Sequence, residues 1–82
     1  MQVMINTEFI KLDQLIKLSG MVQTGGFAKQ IIADGMVKLN GDYELQRGKK
    51  IRPGDVVEIE IRDESDQIVE THTIEVVFGQ EE

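Results

Sequence analysis

The chain has 82 residues, room for one domain and not two, and a domain of that size has a thin core. It contains no cysteine, which excludes a disulfide framework and a thiolate metal site, and no apolar run approaches the roughly 18 residues of a membrane-spanning helix. The net charge of −6 is unevenly divided: residues 8–55 hold eight bases and six acids, whereas residues 56–82 hold nine acids and one base, Arg62.

That division makes the first segment the expected working surface, because local field rather than net charge attracts a polyanion; the acidic end weakens steering at long range. The opening "MQVMINTEFIKLD" lacks the basic-then-apolar layout of a secretory signal, so the expected compartment is the cytoplasm.

In chain order, "EFIKL" reads as a short strand, and Asp13 is the expected cap of a helix. That helix carries Leu12, Leu15 and Ile16 on one stripe and ends at Ser19-Gly20. Thr24 is the expected cap of a second helix, with Phe27, Ala28, Ile31 and Ile32 turned to the core, Lys29 and Gln30 outward, and Gly35 as the stop. "MVKLNGDYEL" alternates around Asn40-Gly41, a two-residue hairpin signal. "QRGKKIRPGD" is a basic loop ending in a Pro-Gly turn. "VVEIEIR" predicts a strand with Val57, Ile59 and Ile61 inward and Glu58, Glu60 and Arg62 outward. "DESDQ" is a turn, "IVETHTIEVVF" a last strand with a bulge expected near Thr71 to Thr73, and "GQEE" a frayed end. Two short helices packed on a small antiparallel sheet built from hairpins make an α+β fold.

Little in the chain suggests catalysis. His72 is the only histidine and sits in a strand without a nucleophile constellation. The acids after residue 57 lack the glycine-broken spacing of a calcium loop, and "GGFAK" lacks the spacing of a phosphate-binding loop. The expectation is no enzyme, no metal and no cofactor. A binding surface fares better. Gly25 and Gly26 let another backbone approach, first-turn amides favour an anion, and Lys29, Lys38, Arg47, Lys49, Lys50 and Arg52 supply positive charge.

From Lys11 to Val57 the segments "KLDQLIKLSG", "TGGFAKQII", "DGMVKLNG" and "RPGDVV" resemble, in order and spacing, the S-four RNA-binding domain, or alpha-L motif. They look most like its small stand-alone bacterial members, of the YaaA or YbcJ type. The resemblance implies the alpha-L fold over residues 11–57 of a single 1–82 domain, followed by an acidic strand hairpin at 58–78. It implies a non-catalytic protein that binds structured RNA (rRNA or tRNA), on ribosomal or ribonucleoprotein particles and not on membranes. By position it carries RNA contact to Thr24, Gly25, Gly26, Lys29, Gln30 and Lys38; charge alone adds Arg47, Lys49, Lys50 and Arg52. The family often has Arg where this chain has Gly25. With Phe27 expected inside, Tyr43 is the only other stacking candidate, and recognition by shape and phosphate is expected. The oligomeric state stays open. So do two rival readings. "VKLNGDYELQRGKKIRPGDVVEI" also looks like a β-grasp sulfur carrier, although "VVFGQEE" lacks the Gly-Gly end of such carriers, and the acidic hairpin suits a protein-binding adaptor.

Overall fold

The structure, a computed structural model, describes residues 1–79, so the end of the expected frayed segment "GQEE" lies outside the described residues. Strand β1 (Gln2–Ile5) leads into a two-residue strand β2 (Ile10–Lys11) and helices α1 (Leu12–Leu18) and α2 (Gly25–Ala33). Strands β3 (Val37–Leu39), β4 (Asp42–Tyr43), β5 (Lys50–Ile51), β6 (Val56–Arg62) and β7 (Ile68–Phe78) follow. The main sheet has the order β1-β7-β6-β3-β4, and β2 and β5 form a separate two-stranded ladder. The α+β class and its hairpins are as the sequence predicts. The sheet differs from a purely antiparallel one: β1, unforeseen, pairs in parallel with β7, Gln2 opposite Glu75 and Ile5 opposite Phe78.

The helices meet their apolar stripes. Leu12, Leu15 and Ile16 of α1 and Ala28, Ile31 and Ile32 of α2 are buried against Val37, Ile51, Val57, Ile59, Ile74 and Val76. Alternation along β1 adds Val3 and Ile5 to that core. Gly20 and Gly35 take positive φ at the two helix ends, and Asn40 and Gly41 are both left-handed, as a tight hairpin turn of this twist requires.

Several expectations need correction. The "EFIKL" strand shrinks to Ile10–Lys11, because only there does β5 offer a partner. Asp13 lies inside α1 and is not its cap; the cap position is Lys11, which makes no side-chain cap bond. Phe27 is 58% exposed, not in the core: Ala28, Ile31 and Ile32 already fill the inward stripe, and Phe27 stands at its edge. Glu60 is buried, because side chains from β3, β4 and β6 cover it. The bulge sits at the far end of the β6–β7 ribbon. Ile61 faces Glu70 and Arg62 faces Ile68, leaving Val69 extra, while Thr71 to Thr73 pair regularly.

Candidate nucleic-acid interface

The basic loop is positioned by main chain. The first amides of α1 lack a side-chain cap, and they are satisfied instead by the loop: Leu12 N donates to Lys49 O (2.9 Å) and Asp13 N to Arg47 O (3.1 Å). The β2–β5 ladder, with Ile10 opposite Ile51 and Lys11 opposite Lys50, pins the other end. Buried Ile51 anchors the loop below, while Arg47, Lys49, Lys50 and Arg52 are exposed. Asp55 closes the following turn, its carboxylate accepting from Arg52 N (2.7 Å) and from the Asn40 amide (3.0 Å). Lys50 also lies over the Phe9 ring, 4.8 Å from its centroid, a cation–π contact that orients its ammonium. Register with β5 brings exposed Lys11 to the same surface, a cation that position-by-position reasoning missed and strand pairing alone could have found.

The second group of residues lies at the start of α2. Thr24 caps the helix as the sequence predicts, its hydroxyl accepting from Phe27 N at 3.1 Å. The Gly25 and Gly26 amides have no hydrogen-bond partner among the described residues, and no acid occupies the first turn. Neither glycine has a positive φ, so backbone conformation does not demand glycine here. A Cβ at Gly25 would meet nothing within 4 Å, and one at Gly26 only the Thr24 hydroxyl at 3.9 Å. The entrance is thus open to the outside. Lys29 is exposed; Gln30 is exposed too, but its amide donates to Asp34 (2.9 Å). Among the described residues no hydrogen bond or ion pair joins this entrance to the basic loop; the α1–α2 packing connects the two regions.

Lys38 is placed differently. On the sheet face away from the helices it pairs with Glu60 (3.4 Å) and sits 4.9 Å from the Tyr43 ring centroid. Glu60 also accepts from the Tyr43 hydroxyl and from Arg62 Nη2 (3.2 Å). The Tyr43 hydrogen bond holds the Glu60 carboxyl below its usual range; burial pushes the other way, and Arg62 and Lys38 reinforce the lowering. An RNA phosphate would share Lys38 with this carboxylate.

No helix is long and apolar enough to cross a membrane among the described residues. The family model described as the S4 domain matches residues 3–75. The probable ribosome maturation protein RlbA of Bacillus subtilis (strain 168) is 45% identical over 56 residues, 68% of this chain and 79% of that protein. The small ribosomal subunit protein uS4 of Acaryochloris marina (strain MBIC 11017) is 36% identical over 63 residues, 77% of this chain but only 31% of its own length. Its counterpart from Synechocystis sp. (strain ATCC 27184 / PCC 6803 / Kazusa) is 33% identical over the same coverage. The segment that looked like a sulfur carrier, residues 37–59, falls inside the S4 domain match.

Proposed function

This chain belongs to the S4 domain family, and from that premise we propose that it is a small non-catalytic protein that binds structured RNA, rRNA or tRNA, in association with the ribosome. The names of its relatives, a probable ribosome maturation protein and a small-subunit ribosomal protein, support the ribosomal setting. The observation that carries the RNA reading is the basic loop: exposed cations on a stretch of chain whose main chain is fixed against the start of α1. Residues 11–57 carry the RNA-contacting residues, while the acidic hairpin of 58–78 completes the core through Ile59, Ile74 and Val76 and holds acids at the far end of the β6–β7 ribbon. Arg47, Lys49, Lys50 and Arg52 meet phosphates, joined by Lys11. Thr24, Gly25, Gly26, Lys29 and Gln30 present the open helix entrance to a second stretch of backbone. Lys38 contributes through a charge it already shares with Glu60.

Each phosphate contact displaces condensed counterions, so log affinity should fall with log salt by roughly 0.7–0.9 unit per contact. Titrating a structured RNA hairpin at several salt concentrations measures that slope. Lys49→Glu combined with Arg52→Glu should flatten it by between one and two units, roughly, with the urea midpoint little changed, because exposed substitutions cost within about 0.5 kcal/mol. Affinity that ignores salt in the parent protein refutes the reading, and sequencing of RNA crosslinked in cells separates rRNA from tRNA.

A further inference from the structure

Phe27 exposes 58% of its surface on a helix whose other bulky apolar side chains, Ile31 and Ile32, are buried. A single exposed apolar residue needs no explanation on a flat surface. Phe27, however, is one wall of a slot. Met21 and Val22 form the other walls, Gln23 and Thr24 the rim, and the volume is about 300 Å³. The same three apolar residues continue into a cleft of about 240 Å³ that reaches Ile59 and Ile61 of β6. Met21 is half-buried, and its thioether is a polarizable partner for a flat π-system lying against Phe27. The exposed Gln23 amide offers a donor and an acceptor at the mouth, the combination that reads a base edge. The slot also abuts Gly25 and Gly26, where no side chain blocks a sugar-phosphate chain, and Lys29 stands on the same helix.

A slot lined by Met21, Val22 and Phe27 with a hydrogen-bonding rim, next to a surface free for a polyanion, matches one ligand class. We infer that the slot between Met21 and Phe27 receives a single unpaired nucleobase of the bound RNA, stacked on the Phe27 ring. This rests on the RNA-binding reading above and adds base recognition to a surface that otherwise reads only phosphates. It also reverses the expectation of recognition without stacking, which depended on Phe27 being inside.

The experiment compares a fully paired RNA hairpin with the same hairpin carrying one unpaired 2-aminopurine. The parent protein should prefer the second by roughly tenfold or more, the range for one stacked base, and should quench its fluorescence. Phe27→Ala should abolish preference and quenching, while leaving affinity for the paired hairpin and its salt slope unchanged; Phe27→Trp should keep both. Urea midpoints near the parent's are expected for an exposed position, and the Phe27→Trp result stands independently of how Phe27→Ala folds. Equal parental affinity for the two hairpins overturns the inference and leaves the RNA reading standing, whereas binding to neither overturns both. A parent that sediments as a dimer and a Phe27→Ala protein that sediments as a monomer would assign the slot to a second copy of the chain, and would also overturn it.

Discussion

Glu60 shows how a strand can bury a charge that its alternation marks as outward. Its neighbours on the same face, Lys38, Tyr43 and Arg62, enclose the carboxylate and satisfy it with hydrogen bonds from Tyr43 and Arg62 and an ion pair with Lys38. Because its folded pKa is depressed, chiefly by the Tyr43 hydroxyl, the group contributes stability above the ordinary carboxylate range. That contribution is lost as pH falls through the folded value. Tyr43→Phe removes the largest cause of the lowering. The variant should therefore have a lower urea midpoint than the parent near neutrality, and the gap should close in acid, where the carboxyl is protonated in both proteins. A gap of the same size at both pH values would mean that the hydroxyl acts without the charge. Phe27 makes the opposite point. Its hydrophobicity marked it as core, but position on the helix decided otherwise, since Ala28, Ile31 and Ile32 complete the inward stripe without it.

At the level of elements, the two ends that matter are the starts of the helices, and they are built in different ways. The start of α2 is capped by a side chain and left open, so its glycines can be tested separately. Gly25→Arg puts a guanidinium into free space and should strengthen RNA binding severalfold. Gly26→Val places a branched side chain over the free amides and should weaken binding, with a stability cost of a few tenths of a kcal/mol, roughly, by helix propensity. Affinity and urea midpoint measured side by side decide the matter; the reverse order of affinities would mean that the entrance faces away from RNA. Thr24 as cap, the Asn40-Gly41 hairpin and the inward faces of α1 and β6 were legible in the sequence because each is written within a few adjacent residues. The capping of α1 by Arg47 and Lys49 carbonyls was not, since main-chain partners distant in sequence leave no mark on side-chain identity. The same holds for β1: four residues with two buried side chains carry too short an alternation to read, and their partner strand starts beyond residue 67. The bulge was misplaced because Val69 differs from its neighbours by pairing geometry, not by chemistry.

The whole molecule separates its charges along a shape of 48 × 21 × 20 Å. From Ile61 to His72 the strands β6 and β7 pair only with each other, and this ribbon carries acids at positions 63, 64, 66 and 70. At physiological ionic strength charges are screened over about 8 Å, so repulsion from the ribbon fades well within the long axis and a net negative protein can still present a cationic surface. The parallel pairing of β1 with β7 carries a consequence for how the molecule comes together. Joining Gln2 to Glu75 closes the longest loop in the fold, and the entropy of such closures makes distant pairings slow relative to local ones. The β3–β4 hairpin, the β6–β7 hairpin and the α1–α2 pair all join neighbours along the chain and should form before it. In pulse-labelled refolding, amides of β6 should gain protection from exchange before those of β1, and simultaneous protection would contradict that order. Val3 and Ile5 should then complete the core late, with the basic loop and the entrance of α2 formed while the first strand still trails free.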